Sequence, residues 1–251
     1  MSIPRIIHYC WFGGKPLPAD SRALIAAWEK QLPDYKIMRW DETTFDITKS
    51  DYVRAAYEAG KYAFVSDYVR LCALEEYGGV YLDTDIEVLR DFSGLLEGYR
   101  AVFGFESGEK VMTAFMAAEP GHPVIREFRS RYAEKIFDAS ALEPNTVALT
   151  AILRDRGLEM NNTMQQLGCG TAVFPLDHFQ AYDFSRALLC VTEHTCTIHR
   201  CFGSWCPPRE RMIFAIKRTL GNHLSEEAYS RLKRIKKRVM GESYETKGNR
   251  C

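Results

Sequence analysis

Apolar residues along this chain fall into two alternating rhythms. Residues 3–12, Ile-Pro-Arg-Ile-Ile-His-Tyr-Cys-Trp-Phe, form a nearly unbroken apolar run closed by Gly13-Gly14 and a proline-rich loop, which predicts a buried strand. Over 21–31 the spacing becomes helical, with Leu24, Ala27, Trp28 and the following Leu32 on one side and Ser21 as N-cap. Residues 35–40 return to a strand pattern, and strand, helix, strand at this spacing begins a parallel α/β sheet. Helices are predicted over 52–59, ending at Gly60, and over 66–77, opened by Ser66 and stopped by Gly78. A short strand over 80–82 follows, then strands over 100–106 and 111–117, the second returning as a hairpin. Helices over 123–137 and 146–156 and short strands at 172–174 and 196–199 complete the predicted sheet. Two further helices are predicted over 209–220 and 225–240. With no internal repeat and no low-complexity linker, the chain reads as one α/β domain over 1–206 and a helical C-terminal extension over 207–251.

Composition bounds this picture without changing it. The 251 residues are 46% hydrophobic, enough for one large core, and 26% charged, an ordinary globular balance. No apolar run reaches the roughly 18–20 residues of a membrane-spanning helix. The N-terminus lacks a basic segment followed by an apolar signal core, so the expected location is the cytoplasm. Net charge is zero but unevenly spread: residues 207–251 carry 12 Lys or Arg against 5 Asp or Glu, and residues 1–206 carry 21 against 28. Such a basic tail either seeks an anionic surface or forms a solvated helical face. Eight cysteines without an export signal are expected to be reduced thiols. Cys196, Cys201 and Cys206 interleave with His194 and His199, but no Cys-x-x-Cys pair is present, so core packing is the expectation rather than structural zinc.

The chemistry concentrates at 77–85, Tyr-Gly-Gly-Val-Tyr-Leu-Asp-Thr-Asp, an apolar strand ending in two carboxylates. At i and i+2 on an extended segment, Asp83 and Asp85 point to the same side and can serve one cation. Their hard oxygens favour magnesium or manganese, which leave positions open to substrate phosphates. Upstream, Asp67 and Arg70 lie three apart in the first turn of the predicted helix and share a face. Arg70 could there reach a phosphate or a sugar hydroxyl, helped by the helix N-terminus, or simply pair with Asp67.

These blocks carry a resemblance. Phe64-Val65-Ser66-Asp67-Tyr68-Val69-Arg70, continued through Leu74 and Tyr77 to Asp85, resembles the core signature of the family-32 glycosyltransferases. That group includes bacterial capsular polysaccharide transferases and fungal outer-chain mannosyltransferases, with a related core in clostridial glucosylating toxins. The start, residues 3–14, and Ile198-His199 followed by Gly203-Ser204-Trp205 are similar to bacterial members, so the resemblance covers scattered blocks from 3 to 205. It implies a GT-A-like α/β fold, a mixed central sheet flanked by helices. It also implies a nucleoside-diphosphate-sugar donor, with a UDP-sugar first and a GDP-sugar second, and a manganese or magnesium ion. Transfer to a saccharide acceptor would retain the anomeric configuration, in capsular or surface polysaccharide synthesis.

Carried over residue by residue, Asp83 and Asp85 would hold the metal and the donor's ribose-diphosphate region. Asp67 and Arg70 would contact the donor sugar or ribose, and Trp11 would lie beside the base. His199, Ser204 and Trp205 would close over the diphosphate, with His199 a metal ligand. The match is weakest at that ligand, because many bacterial relatives carry two adjacent histidines where this chain has His199-Arg200. Glu106, ending a strand, is a carboxylate candidate near the sugar. Without the family, Trp11 reads as core, Trp205 as a pin for the tail, His199 as a hydrogen-bonded strand residue and His8 as structural.

Two other classes compete. A phosphohydrolase of the haloacid dehalogenase type also places Asp-x-Asp after an apolar strand, but near its N-terminus and followed by Gly-Thr, whereas Ile86-Glu87 follow here. A non-catalytic nucleotide- or sugar-binding module would keep the binding residues without turnover. Residues 231–239, Arg-Leu-Lys-Arg-Ile-Lys-Lys-Arg-Val, have the mixed basic and apolar pattern of an interfacial helix, which suits a lipid-linked acceptor at the inner membrane face. No nucleic-acid motif accompanies this charge.

Overall fold

A computed structural model describes residues 2–107, 109–133, 135–183 and 188–201. Strand β1 (Ile6–Cys10) leads into helix α1 (Ala19–Gln31) and strand β2 (Lys36–Trp40). Helices α2 (Asp51–Glu58) and α3 (Tyr62–Tyr77) precede β3 (Gly79–Leu82) and β4 (Ile86–Val88). A short α4 (Ser93–Leu96) is followed by β5 (Ala101–Ser107), β6 (Lys110–Val111) and β7 (Phe115–Ala118). Next come α5 (Pro123–Ser130), α6 (Asn145–Arg154), β8 (Gln165–Leu167), β9 (Thr171–Phe174) and α7 (Leu176–Phe179). The small strands β10 (Tyr182–Asp183), β11 (Leu188–Leu189) and β12 (Thr197–His199) close the described part.

The central sheet runs β2-β1-β3-β7-β5-β9-β8, with β6 hairpinned on β5. Pairs β1–β2, β1–β3 and β5–β9 are parallel, while β7 is antiparallel to both neighbours. Helices pack on both faces, so the inner strands β3, β5, β7 and β9 are buried twice over and read as continuous apolar runs rather than as alternation. Val80 and Leu82 of β3 face one core with Trp28 of α1, whereas Tyr81 faces the other with Val65, Val69 and Leu74 of α3. A mixed central sheet flanked by helices is the architecture expected from the resemblance.

The link from α3 to β3 requires its two glycines. Gly78 and Gly79 both have positive φ, 64° and 97°. A Cβ on Gly79 would lie 2.5 Å from the Ile6 carbonyl oxygen of the neighbouring strand. Only glycine allows β3 to enter the sheet against β1 this closely.

Several boundaries differ from expectation for physical reasons. Ser21 is buried inside α1, which opens at Pro18-Ala19 instead. Ser66 lies inside α3, its hydroxyl donating to the Tyr62 carbonyl at 3.1 Å. The helix begins a turn earlier because Phe64 and Val65 are core residues, so packing rather than capping sets its start. Helix α5 stops at Ser130 rather than 137, since Tyr132 and Phe137 fold back to stack edge-on against Tyr52, 4.9 and 5.5 Å between ring centroids. Strand β12 does not complete the central sheet but pairs with β4 in a separate ribbon. The helices predicted over 209–220 and 225–240, and the extension over 207–251, lie outside the described residues.

Candidate functional site

At the end of β3 the chain does not continue extended through the aspartates. The Ile86 N–H donates to the Asp83 carbonyl at 3.0 Å, closing a turn over Asp83-Thr84-Asp85-Ile86. The aspartate pair is therefore aligned by a turn and not by strand alternation. Asp83 keeps the face of Tyr81, whose hydroxyl donates to its Oδ1 at 2.8 Å. Asp85 stands at the entry to β4, beside the ribbon that β4 forms with β12. Because His199 of β12 pairs with Ile86 of β4, its ring comes beside Asp85, Nε2 to Oδ1 3.4 Å. The Arg200 N–H extends this pairing to the Asp85 carbonyl at 2.9 Å.

The result is a convergence of Asp83, Asp85 and His199, one ligand atom from each lying within 4.8 Å of the others. Among the described residues no other group of three His, Cys, Asp or Glu side chains meets that test. Two carboxylate oxygens and an imidazole nitrogen form a donor set suited to a hard to borderline divalent cation. The six described cysteines are free thiols, and none belongs to this group.

Beneath the turn lies a buried charge network. Arg70, its side chain only 5% exposed, directs Nη2 to Asp67 Oδ1 at 2.9 Å and to Asp83 Oδ1 at 3.3 Å. Its Nε donates to the Ser66 carbonyl, its Nη1 to the Thr113 carbonyl at 2.9 Å, and its guanidinium stacks 4.4 Å from the Tyr81 ring centroid. Burial opposes the charge on Arg70, but Asp83, Tyr81 and Asp67 outweigh it and hold the group protonated. The expected help from the α3 N-terminus is absent, because Asp67 and Arg70 stand beyond the first turn of a helix that starts at Tyr62.

Asp67 is held from a second direction. Asn145, at the start of α6, donates from Nδ2 to Asp67 Oδ1 at 2.7 Å and accepts from the Thr113 hydroxyl at 2.7 Å. Burial pushes the Asp67 carboxyl up to about 6, against the opposing pull of Arg70. Glu106, near the end of β5, is also raised by burial, with His199 and Lys110 countering and Asp83 adding to the shift. His199 is held protonated well above its ordinary range: burial works against its charge, and Cys201 and Asp85 overcome that penalty.

The structure thus gathers Asp67, Arg70, Asp83, Asp85, Glu106 and His199 into one neighbourhood. Trp11 stands just past β1, half-buried, its indole N–H on the Lys15 carbonyl at 2.6 Å. Ser204 and Trp205 lie outside the described residues. Sequence reasoning passed over Tyr81, Thr113 and Asn145. Tyr81 was visible in principle, two positions before Asp83 on a strand. Asn145 showed only as a polar residue after Pro144 at a helix start, and its partner Asp67 is remote in sequence.

Residues 18–102 match the family described as a glycosyltransferase sugar-binding region containing a DXD motif. That segment belongs to the DXD glycosyltransferase family. Its motif is Asp83-Thr84-Asp85, and Asp67, Arg70 and Tyr81 fall inside the same matched stretch. The chain is similar to an uncharacterized protein of Arabidopsis thaliana, 29% identical over 126 residues, 47% of this chain and 19% of that protein. It is likewise similar to inositol phosphoceramide mannosyltransferase 3 of Schizosaccharomyces pombe, 29% identical over 128 residues, 49% of this chain and 35% of that protein. The match thus spans about a fifth and about a third of these two relatives. Among solved structures the chain is similar to the PaToxG glycosyltransferase, with a TM-score of 0.48 and 20% identity over 61% of this chain and 69% of that one.

Proposed function

We propose that this protein is a metal-dependent, retaining glycosyltransferase that moves a sugar from a nucleoside-diphosphate-sugar to a saccharide acceptor. The observation that carries this reading is the convergence of Asp83, Asp85 and His199 directly over the buried Asp67–Arg70 pair, within a DXD glycosyltransferase segment. The donor set fits Mn2+ or Mg2+, and either ion, when bound, supplies Lewis-acid stabilisation of the leaving diphosphate. To hold such an ion His199 would need a free Nε2 lone pair, so occupancy of the site would compete with a proton on the nitrogen that faces Asp85.

The residues of this chain then divide the work. Arg70 fixes the Asp67 and Asp83 carboxylates and adds positive charge under the site, where transition-state charge on the diphosphate would develop. Asp67, fixed by Asn145, is assigned to the donor sugar or ribose, and Trp11 to the base. Ser204 and Trp205 are assigned to the diphosphate. Two retaining routes suit these residues. In a front-face route the acceptor hydroxyl bonds to the anomeric carbon as its bond to phosphate breaks, and the hydroxyl proton leaves on the departing phosphate. In the other, the Glu106 carboxylate bonds to the anomeric carbon as the nucleoside diphosphate leaves, and the acceptor hydroxyl then bonds to that carbon as the ester bond breaks, its proton passing to the freed carboxylate. Trapping a sugar on Glu106 separates the two.

The deciding experiment is a donor screen with Mn2+ across UDP- and GDP-sugars, scoring hydrolysis and transfer. GDP-mannose belongs in it because one relative is named a mannosyltransferase. Turnover that disappears with EDTA and in Asp85→Asn is the expected result. Metal-dependent nucleotide binding without turnover on any donor would make the protein a binding module, and turnover of phosphomonoesters alone would make it a phosphohydrolase. We further assign 1–206 to the transferase domain and the basic 207–251 to contact with an anionic inner-membrane surface that presents a lipid-linked acceptor in capsule or surface polysaccharide synthesis. No described helix is long and apolar enough to cross a membrane. Salt-insensitive behaviour or no binding to anionic vesicles would remove the membrane assignment.

A further inference from the structure

We propose that Gln180 is the positioning residue of the cation site: its side-chain oxygen fixes the His199 ring so that Nε2, and not Nδ1, faces Asp85. This inference rests on the reading of Asp83, Asp85 and His199 as a cation site, and concerns how that site is held.

Gln180 is fully buried, and a buried amide must have partners for both its ends. Its Oε1 lies 3.1 Å from His199 Nδ1 and its Nε2 lies 3.8 Å from the Cys201 sulfur. The Cys201 thiol donates to the His199 carbonyl at 3.2 Å, which leaves the sulfur lone pairs to accept from the amide N–H. These roles allow one orientation of the amide, oxygen toward the ring and nitrogen toward the thiol. An oxygen facing Nδ1 can only accept, so Nδ1 carries the hydrogen. The other ring nitrogen is then the one aimed at Asp85 Oδ1. Whether or not Nε2 also bears a proton, the Nδ1–H bond to Gln180 is the same.

The backbone shows the same clamp. The His199 N–H donates to the Gln180 carbonyl at 3.2 Å, so one residue holds both the main chain and the ring of the histidine. Two residues earlier, the Thr197 hydroxyl donates to the Phe179 carbonyl at 2.6 Å, locking β12 onto the end of α7. Ala181, immediately after Gln180, and Cys201, two after His199, are non-glycine residues at φ 49° and 51°. Left-handed backbone at such residues persists only where the surroundings over-determine it, and here it brackets the pair. Histidine ligands hold their tautomer through such a partner on the other nitrogen, and loss of the partner typically weakens metal binding 10- to 100-fold.

The test measures Mn2+ binding by the EPR signal of free ion, together with the 14N modulation that an imidazole ligand imparts to bound Mn2+. Gln180→Leu, which removes the acceptor, is expected to bind Mn2+ about 10- to 100-fold more weakly and to lose or alter the nitrogen modulation, as His199→Ala does. Gln180→Glu keeps an acceptor oxygen and is expected to restore both. A second measurement needs no variant: long-range 1H–15N spectra of the wild-type protein with Mg2+ should show the His199 hydrogen on Nδ1 and the lone pair on Nε2. The reverse assignment overturns the proposal whether or not the variants fold. So does wild-type Mn2+ affinity in Gln180→Leu while His199→Ala is weak, an outcome that leaves the cation site standing. If His199→Ala, Asp83→Asn and Asp85→Asn all bind Mn2+ like the wild type, the cation site itself fails.

Discussion

His8 makes the stability of this fold depend on pH in a direction that can be worked out from two hydrogen bonds. The ring is fully buried in β1, with Nε2 donating to the Gly78 carbonyl at 2.8 Å and Nδ1 accepting from the Trp40 indole N–H at 3.1 Å. A second proton would have to displace the Trp40 bond. Burial lowers the pKa from 6.5 to about 4, against the smaller upward pull of the Gly78 bond. In the unfolded chain the same ring titrates at 6.5, so below that pH the unfolded state holds a proton that the folded state does not. The His8 contribution is therefore complete above pH 6.5 and lost as pH falls toward 4, by about 2 kcal/mol at pH 5 and about 3 kcal/mol at pH 4. Asp67 works against it in the same window. Its folded pKa of about 6 lies above the unfolded 3.8, so the folded state takes up a proton first and gains on the order of 1 to 2 kcal/mol between pH 5 and pH 4. Wild-type stability shows only the remainder, and two variants separate the parts. In urea unfolding across this range, the advantage of the wild type over His8→Gln should shrink by about 2 to 3 kcal/mol on acidification, while its standing relative to Asp67→Asn should improve by about 1 to 2 kcal/mol. A gap to His8→Gln that stays constant within about 0.5 kcal/mol would refute the assignment of a neutral, doubly bonded ring.

Arg70→Lys replaces a fork that reaches Ser66, Thr113, Asp67 and Asp83 with a single ammonium. One ammonium cannot keep all four contacts, and the partners it leaves should cost about 2–4 kcal/mol in urea unfolding, while donor turnover should drop at least about 100-fold; wild-type values for both would show that the network is not a unit. Gly79→Ala meets the Ile6 carbonyl at 2.5 Å and a φ of 97°. It should lower stability by about 3 kcal/mol or more, and an unchanged melting temperature would contradict the close approach of β3 to β1.

The order of elements up to Leu82 was legible because its causes are local: apolar runs, helical spacing, and Gly78-Gly79 ending a helix before a strand. The same locality explains the misplaced helix start. Ser66 looks like a cap, but Phe64 and Val65 before it are core residues whose burial extends α3 past any local stop. Of the site, the pieces inside one stretch were readable, Asp67 with Arg70 and Asp83 with Asp85. Their geometry was not, since the turn at 83–86 depends on β4 leaving the central sheet for β12. Asn145 and Gln180 were invisible for a further reason: each acts through one hydrogen bond to a residue far away in sequence, and an amide carries no pattern of its own.

That departure of β4 also explains why the functional groups gather where they do. Tyr81 and Asp83 belong to the face covered by α3, with Arg70 between them and Asp67. Ile86 and Val88 belong to the opposite core, where the Trp28 indole N–H of α1 donates to the Ile86 carbonyl at 2.8 Å. Between Asp83 and Ile86 the chain crosses from one layer to the other, and the two aspartates flank the crossing. A strand that simply continued would not have led into β4, whose Ile86 pairs with His199 and so sets that ring beside Asp85. By turning, the chain leaves Asp83 tied to Arg70 and delivers Asp85 to the ribbon that brings His199 back. The donor set therefore draws one ligand from the α3 layer and two from the β4–β12 ribbon, and its geometry depends on both cores being packed.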